Sequence, residues 1–311
     1  MLLKQVIEIY DVADNANVTG DDIKNIFTEK GWNLVSVNRM DGELGHTDCI
    51  KIVIPGKNGK INGGDKPTLG IIGRLGGIGA RPEVIGFVSD GDGAVAALSA
   101  ALKLVEMNLS GDILDGDVIV TTHICPNAPT EEHYPVPFMG SPVNMDQMNS
   151  VEVIDDMDAI ITIDTTKGNE IINHKGISIS PTVKEGYILP VSYDLLQTVK
   201  RVTGVSPNVF ALSTQDITPY SNNLPHINSI LQPAVSTSAP VVGVAITTEI
   251  PVAGCATGAS HGMDIESAAR FSVEVAKDYT SQKIKFYDED NYKKLLELYG
   301  GCERFQTPGN K

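Results

Sequence analysis

Residues 86–126 decide the fold: GFVSDGDGAVAALSAALKLVEMNLSGDILDGDVIVTTHICP. This segment predicts an acidic loop, a long helix, a short turn and a strand that ends in a polar tip. Asp90 and Asp92 come just before the helix, and His123 and Cys125 follow the strand. Because α/β proteins build their sites at the carboxyl ends of strands, we expect both tips to face one crevice.

The helix that follows Asp92 has the clearest periodicity in the chain. Its apolar residues recur with the spacing of one helical face, and they are Ala94, Ala97, Leu98, Ala101, Leu102 and Val105. Helical spacing also covers residues 2–13, 20–30, 192–203 and 264–278. Strand signals cover residues 32–37, 49–54, 68–73, 117–122, 159–163, 208–212 and 239–247. Helices that alternate with strands predict an α/β fold, a three-layer mixed sheet with helices on both faces.

The length and composition are those of a globular protein with a full core. The chain has 311 residues, 41% of them hydrophobic, and we expect a single domain over residues 1–311. Its amino-terminal segment, residues 1–31, is predicted to be helical. Residues 126–150 hold five prolines and little periodicity. They predict a long loop, and loops of that length are usually functional or mobile.

The chain is strongly acidic, with a net charge of −15. This charge makes it a poor candidate for binding nucleic acid or an anionic membrane, and it favours cationic ligands or metal ions. No basic segment leads into an apolar run, and no apolar stretch reaches the length of a membrane helix, about 18 residues. The chain has four cysteines, Cys49, Cys125, Cys255 and Cys302, and no two of them form a CxxC pair. We therefore expect a reduced, cytoplasmic protein, with a homo-oligomer as an open alternative.

Polar residues follow the predicted strands. Arg74, His123 and Asp164 each end a strand, His261 follows the last strand through a loop, and Asp90 precedes the first long helix. Imidazole and carboxylate groups are the ligands that zinc and manganese take in proteins. Asp90, His123, Asp164 and His261 are therefore the predicted metal ligands.

Each of these residues also has a structural interpretation. Asp90 can cap the helix and favour its dipole. His123 can be a buried structural histidine, Asp164 a turn-former in DTTKGN, and His261 a surface residue. Cys125 is better interpreted as a small buried apolar residue than as a nucleophile.

Several other residues are candidates for catalysis or substrate binding. Glu131, Glu132 and Glu185 are possible general bases, although the first two can equally form an exposed acidic pair. Arg74 can bind a substrate carboxylate through two hydrogen bonds. Two polar loops, over 179–188 and 213–223, have the diversity of side chains found in substrate sites. Together with DTTKGN they provide the predicted substrate-binding residues Lys167, Lys184, Gln215, Asp216 and Tyr220.

Four segments, taken together, resemble a known enzyme family. They are LLKQVIEIYDV with GDDIKNIFTEKGW, VSDGDGAVAALSAALKLVEM with GDVIV, DAIITIDTT, and GASHGMDIESAARFSVEVAK. In this order they are similar to the co-catalytic di-zinc aminopeptidases and deacylases of the glutamyl and tetrahedral aminopeptidase type. The resemblance is remote but spans most of the chain. It implies a zinc aminopeptidase-like fold and metal ligands at Asp90, Asp164 and His261.

The chain departs from that family at two functional motifs. The family has a His-x-Asp motif after the first core strand, where this chain has GRLGG with Arg74. The family has adjacent glutamates after GDVIV, where this chain continues as THICPNAP and reaches Glu131 and Glu132 several residues later. Asp92 stands where the family has a basic residue. The chain also lacks the family's inserted dimerisation domain, so we expect a single catalytic-type domain with an altered metal site.

A closer resemblance is to an uncharacterised bacterial family. The chain is identified as a member by the signatures GRLGGIGARP, THICPNAPT, IDTTKGN, SPTVKEGYI and TQDITPY. These motifs are long and specific, but the family has no established activity to carry over.

Two hypotheses of function follow. In the first, the protein is a hydrolase of a small peptide or amide, in which a divalent metal such as zinc or manganese polarises the carbonyl group and activates water. In the second, the same fold binds a small anionic metabolite without a metal, as a binding protein or a lyase. That site would use Arg74, the amides of GGIGAR, and Lys167 or Lys184. The diversity of the polar loops argues against an inert scaffold.

Overall fold

The computed structural model describes residues 1–43, 45–74, 87–125, 128, 130–132, 134, 136, 138–166, 168–255 and 258–309. The helices within this part are α1 Leu3–Ala13, α2 Gly20–Glu29, α3 Asp92–Leu109, α4 Met145–Glu152, α5 Tyr193–Thr203, α6 Gly262–Thr280 and α7 Glu289–Tyr299. The strands are β1 Val35–Gly42, β2 Gly45–Ile54, β3 Leu69–Gly73, β4 Val118–Ile124, β5 Thr130–Glu131, β6 Phe138–Met139, β7 Ala159–Thr166, β8 Gly176–Ile179, β9 Val183–Lys184, β10 Tyr187–Ile188, β11 Asn208–Val209 and β12 Val241–Thr247. No helix among the described residues is both long and apolar enough to cross a membrane.

The centre of the fold is a mixed sheet with the strand order β1-β2-β4-β3-β7-β12-β8-β11. Strands β4, β3, β7 and β12 run parallel to one another. Strand β2 extends the sheet antiparallel to β4, and β8 lies antiparallel to β12. Because the four central strands share one direction, their carboxyl ends meet at one edge of the sheet, where α/β proteins bind ligands.

Helices cover both faces of the sheet, as predicted, but unevenly. On the first face α3 packs between α1 and α6, and the helices and strands share one large apolar core. The second face is covered by α4 together with short 3-10 turns and loops, over a smaller apolar core. The second face is therefore the more irregular one, and its irregular segments leave room for a cavity.

The amino terminus of α3 rests directly on the carboxyl end of β7. A Cβ atom at Gly93 would lie only 2.6 Å from the carbonyl oxygen of Ile163. A Cβ atom at Gly73, on the neighbouring strand β3, would lie 2.8 Å from the Cα atom of Ala94. Because both contacts are with backbone or Cα atoms, only glycine permits this approach. The acidic turn before α3 is thereby placed next to the strand end that carries Asp164.

Helix α4 was not predicted, because it begins inside the segment 126–150 that the prolines marked as a loop. Its amino terminus is nevertheless encoded locally. The side chain of Asn144 accepts a hydrogen bond from the backbone N–H of Gln147, and the Gln147 side chain accepts one from the backbone N–H of Asn144. This capping box stabilises a helix of only eight residues, too short to show a clear apolar period.

Candidate active site at the carboxyl edge of the sheet

Alternation along the strands sends three of the predicted site residues to the same face. Ile72 and Ile160 belong to the apolar core beneath α4. Arg74 follows Ile72 by two residues, and Asp164 follows Ile160 by four, so both lie on that face. His123 occupies the corresponding end of β4. The strand ends that carry Arg74, His123 and Asp164 therefore lie at the same edge of the sheet, as expected from the sequence.

Arg74 and His123 are joined by a glutamate that the sequence did not point to. Nδ1 of His123 lies 2.6 Å from Oε1 of Glu152, and Nη1 of Arg74 donates to Oε2 of Glu152 at 2.6 Å. Arg74 Nη1 also lies 3.3 Å from Oδ1 of Asn149, and Nη2 contacts the sulfur of Met145. All three charged or ionisable residues are at most 1% exposed. We call Arg74, His123 and Glu152 the buried network.

The charge of Glu152 is stabilised by its two partners. Burial raises the pKa of its carboxyl, but the charges of Arg74 and His123 outweigh burial and hold the pKa below its ordinary value. The Glu152 carbonyl oxygen also accepts a hydrogen bond from Thr121 Oγ1 at 2.8 Å. The buried network thus ties the end of α4 to strands β3 and β4.

A cavity of about 800 Å³ opens beside this network. Its apolar lining residues are Val136, Met139, Val143, Met145, Met148, Leu224, Ile227 and Val252. The carboxylates among its described lining residues are Asp90, Glu131, Asp146 and Asp164. No lysine or arginine is among the described residues that line it. Such a cavity favours a ligand that carries both a positive charge and an apolar group.

Asp164 lies at the floor of the cavity, at the end of β7, and is only 2% exposed. Its Oδ2 accepts a hydrogen bond from Ser229 Oγ at 2.6 Å, and its Oδ1 accepts one from the backbone N–H of Thr165 at 2.7 Å. Burial raises the pKa of this carboxyl, and neither the Ser229 hydroxyl nor the more distant charge of Arg74 offsets burial. A raised pKa is what a carboxyl group needs for proton transfer near neutral pH.

Tyr220 lies beside this pair. Burial and the neighbouring Asp164 carboxyl raise its pKa, so its phenol stays neutral and able to donate a hydrogen bond. Its ring meets the imidazole of His226 edge-on, with 4.4 Å between the ring centroids. Of the predicted substrate-binding residues that the structure describes, Tyr220 is the one that lines the cavity.

Asp90 and Glu131 also line the cavity. Asp90 accepts a hydrogen bond from the backbone N–H of Met139 at 2.9 Å, and its own N–H donates to the Gly254 carbonyl at 2.9 Å. A Cβ atom at Gly254 would lie 2.0 Å from Asp90 Oδ1, so a larger residue at position 254 would displace this carboxylate. Glu131 sits on the β5–β6 hairpin that carries Met139.

The predicted metal ligands do not come together as a set. Asp90 and Asp164 line the cavity, but His123 lies beneath it, bound to Glu152. The side chain of His261 is 47% exposed, and its Nδ1 lies 3.6 Å from Oδ2 of Asp264, in the first turn of the helix that His261 precedes. Within the part of the chain that the structure describes, no three His, Cys, Asp or Glu side chains are arranged to hold one ion. These donors do not fit a co-catalytic centre, and their assignment as ligands stays a prediction.

Several other candidates lie away from the cavity. Arg74 is fully buried and does not line it, and Glu132 is exposed on the loop after β5. Glu185 accepts a hydrogen bond from the Tyr292 hydroxyl at 2.8 Å and pairs with Lys184, also at 2.8 Å. Lys184 lines a second cavity of about 660 Å³. That cavity lies at the amino ends of β3, β7 and β12, at the opposite edge of the sheet.

The loop over 213–223 is held by its own hydrogen bonds and also contributes residues to the lining of the cavity. Asp216 is fully buried, and its carboxylate accepts hydrogen bonds from the N–H and Oγ of Ser213 and from the N–H of Ile227. Gln215 accepts a hydrogen bond from Thr218 Oγ1 through its backbone carbonyl. Lys167 and the GGIGAR segment lie outside the described residues.

The chain belongs to a protein family whose function is unknown. Residues 38–309 match the family described as protein of unknown function, DUF1177. This is the uncharacterised family that the sequence signatures predicted. A comparison with curated proteins finds no match.

Comparison with solved structures shows the fold. The bottromycin maturation enzyme BotP superposes with a TM-score of 0.51 at 12% identity, over 88% of this chain and 70% of that one. A structure of BotP in complex with Mn gives a TM-score of 0.48 at 13% identity, over 88% and 71% of the two chains. An Acidobacteriales bacterium glutaminyl cyclase gives 0.47 at 12% identity, over 90% and 94%. The predicted zinc aminopeptidase-like fold is confirmed.

Proposed function

We propose that the protein hydrolyses a small peptide or amide that carries a free amino group, and that it does so in the 800 Å³ cavity. The observation that carries this proposal is the lining. Asp90, Glu131, Asp146 and Asp164 line the cavity, without lysine or arginine among the described lining residues. A cationic ammonium group is the ligand that this charge distribution attracts.

The apolar lining residues support a particular kind of substrate. Met139, Met145 and Met148 are among them, and methionine side chains adapt to apolar groups of different shapes. The volume suits a ligand of one or two residues rather than a folded protein. We therefore expect an apolar side chain next to the free amino group.

The reaction needs a group that takes a proton from water and returns it to the leaving nitrogen. Asp164 is suited to this role, because it lies on the cavity floor with a raised pKa. Ser229 fixes its orientation through the 2.6 Å hydrogen bond, and Tyr220 adds a neutral hydroxyl beside it. These groups belong to the protein itself, so the proposal assigns no step to a metal.

The alternative of an anionic metabolite receives less support. Arg74, its main predicted anchor, is fully buried and neutralised by Glu152. An anionic ligand would meet carboxylates on the described walls of the cavity. The second function would therefore need cations from outside the described residues.

The test is an assay of the purified full chain with leucyl-leucine, leucinamide and N-acetyl-leucinamide. Each is incubated with a chelator, with zinc and with manganese, and released products are separated by chromatography. We expect cleavage of the two substrates that have a free amino group and none of the acetylated one. Failure to cleave any of them under all three conditions, or equal cleavage of the acetylated compound, would contradict the proposal. The metal series shows independently whether a divalent ion is required.

A further inference from the structure

Gln232 supports the part of the cavity lining that carries Tyr220. The residue itself does not line the cavity and is fully buried. Its Nε2 donates a hydrogen bond to the carbonyl oxygen of Thr218 at 2.8 Å, and its Oε1 accepts one from the backbone N–H of Tyr220 at 3.2 Å. Rotation of the amide by 180° would place two donors together and two acceptors together, so this orientation is the one that satisfies both ends. One buried side chain thus binds the backbone on both sides of Pro219.

The backbone at Tyr220 needs a partner from outside its own segment. Tyr220 is the first residue of a 3-10 turn over Tyr220–Asn222, so its N–H has no acceptor within that turn. Pro219, just before it, has no N–H to offer to a neighbouring strand. Neither a strand nor a helix therefore fixes this stretch of the lining. The amide of Gln232 takes the place of a strand partner by binding one carbonyl oxygen and one N–H.

Gln232 is in turn held by α4. Nδ2 of Asn149 donates to the backbone carbonyl oxygen of Gln232 at 3.0 Å. Oδ1 of the same asparagine accepts a hydrogen bond from Nη1 of Arg74 at 3.3 Å, which fixes the orientation of its amide. Asn149 is only 1% exposed. A continuous chain of hydrogen bonds therefore runs from the buried network through Asn149 and Gln232 to the backbone of Tyr220.

We infer that Gln232 is a positioning residue of the cavity. It fixes the backbone of Tyr220 and thereby the place of the Tyr220 side chain in the lining, beside Ser229. Gln232 does not line the cavity, so its effect on a ligand passes through Tyr220. A misplacement of about 1 Å in a group that orients a ligand is enough to weaken its action. The effect on ligand affinity rests on the proposed function, whereas the placement of Tyr220 does not.

The placement of Tyr220 can be measured without a ligand. The full chain is labelled with 3-fluorotyrosine, and the fluorine NMR signal of Tyr220 is the one that Tyr220→Phe removes. Gln232→Met keeps the length of the side chain but removes both hydrogen bonds, and we expect it to shift or broaden that signal.

Gln306→Met is the matched control. The side chain of Gln306 also makes two hydrogen bonds, both at 2.8 Å, to the carbonyl oxygens of Ala234 and Thr237. These acceptors lie at the far end of the 3-10 turn that begins at Gln232. The control therefore removes the same kind and number of hydrogen bonds from the same turn, and we expect the Tyr220 signal to stay unchanged in it.

Two outcomes of the NMR experiment would overturn the inference. One is an unchanged Tyr220 signal in Gln232→Met. The other is the same change in Gln306→Met, which would show a general loosening of the turn. If Gln232→Met does not fold, Asn149→Ala takes its place, because it removes the donor that holds the backbone of Gln232. We expect a smaller change of the Tyr220 signal in that variant, and an unchanged signal would overturn the inference equally.

Ligand binding shows whether Gln232 acts through Tyr220. The probe is leucinol, which carries the free amino group and the apolar side chain but has no amide to cleave. Its Kd is measured by calorimetry for wild type, Gln232→Met, Tyr220→Ala and the double variant. Each single variant should raise the Kd several-fold, and the double variant should raise it no further than Tyr220→Ala does, whereas additive effects would contradict the positioning role. If leucinol does not bind wild type, the proposed function fails, while the NMR signal of Tyr220 still decides the inference.

Discussion

Glu152 and Asp164 are two carboxylates at the same edge of the sheet, 1% and 2% exposed, with opposite acid–base behaviour. Burial raises the pKa of both, but only Glu152 has a guanidinium and an imidazole in direct contact, and its pKa falls below the ordinary value. Asp164 has a hydroxyl and a backbone amide instead, and its pKa is raised.

The difference separates a carboxylate held in an ion pair from one whose pKa suits the proton transfer that we propose. A buried ion pair with both partners in place fixes geometry, because changing the charge of either member is costly. A buried carboxyl with only neutral donors has no nearby charge that holds it ionised. The depth of burial alone therefore does not decide the direction of the pKa shift, whereas the groups in contact with the carboxyl do.

The largest effect is expected from Glu152→Gln. The substitution leaves the charge of Arg74 buried without its counter-ion, so the free energy of unfolding should fall by about 3–5 kcal/mol. Denaturant unfolding of the full chain measures it, and Glu132→Gln, on an exposed loop, is the matched control. A loss below about 1 kcal/mol would show that the buried network does not hold α4 to the sheet.

The contribution of Glu152 to the free energy of unfolding should depend on pH in a definite direction. The folded pKa of Glu152 lies below its ordinary value of 4.5, so its stabilisation is present above that pH and is lost as the pH falls through the lowered pKa. Wild type should therefore lose more stability than Glu152→Gln on acidification below about pH 4.5. Parallel pH profiles for the two proteins would contradict the assignment.

Asp164→Asn should have the opposite, smaller effect on stability. The folded pKa of Asp164 lies above its ordinary value of 3.8, so the stability from this group is present below that pH and is lost as the pH rises through the raised pKa. The uncharged amide avoids this loss, and the Ser229 hydroxyl can turn to accept from it. We expect a gain in stability at pH 7 that vanishes below pH 3.8. Thermal unfolding across this range would detect it, and destabilisation at pH 7 would argue against a raised pKa.

The smallest effect is expected from Ser229→Ala. Loss of one hydrogen bond to Asp164 should lower stability by about 0.5–1.5 kcal/mol. Because the hydroxyl lowers the pKa of Asp164, its removal should also move the acidic limb of the pH–rate profile to higher pH. Ser221→Ala, which lines the same cavity, is the control. An unchanged acidic limb would mean that Ser229 does not act on the titrating group.

The same two carboxylates show how much of the fold and the site could be predicted from the sequence. The period of two along the strands predicts that Arg74 and Asp164 end on one face, and the alanine-rich face of α3 predicts its close packing on the sheet. The role of Glu152 could not be predicted from the sequence. Its partners Arg74 and His123 are 78 and 29 residues away, and α4 is too short to show a clear period of apolar residues. The capping box at Asn144 was the one local signal for that helix.

No pattern in the sequence predicts the positions of Ser229 and Asn228 in the site. They lie between short 3-10 turns, where neither alternation nor helical spacing fixes a direction for side chains. Their positions follow from the packing of residues 220–232 against the sheet, which only the three-dimensional structure reveals. The metal ligands that the resemblance implies, Asp90, Asp164 and His261, stay a prediction.

The most direct test is hydrolysis of leucyl-leucine by wild type, Asp164→Asn and Asp146→Asn, assayed together at pH 7. Asp146 lines the same cavity but is exposed on α4, so its variant controls for the loss of one charge. If Asp164 is the reactive carboxyl, Asp164→Asn loses about 10²–10⁴ in kcat while staying folded, whereas Asp146→Asn, which removes one of the four lining carboxylates, raises KM and keeps kcat within a few-fold of wild type. Undiminished hydrolysis by folded Asp164→Asn would contradict the central claim.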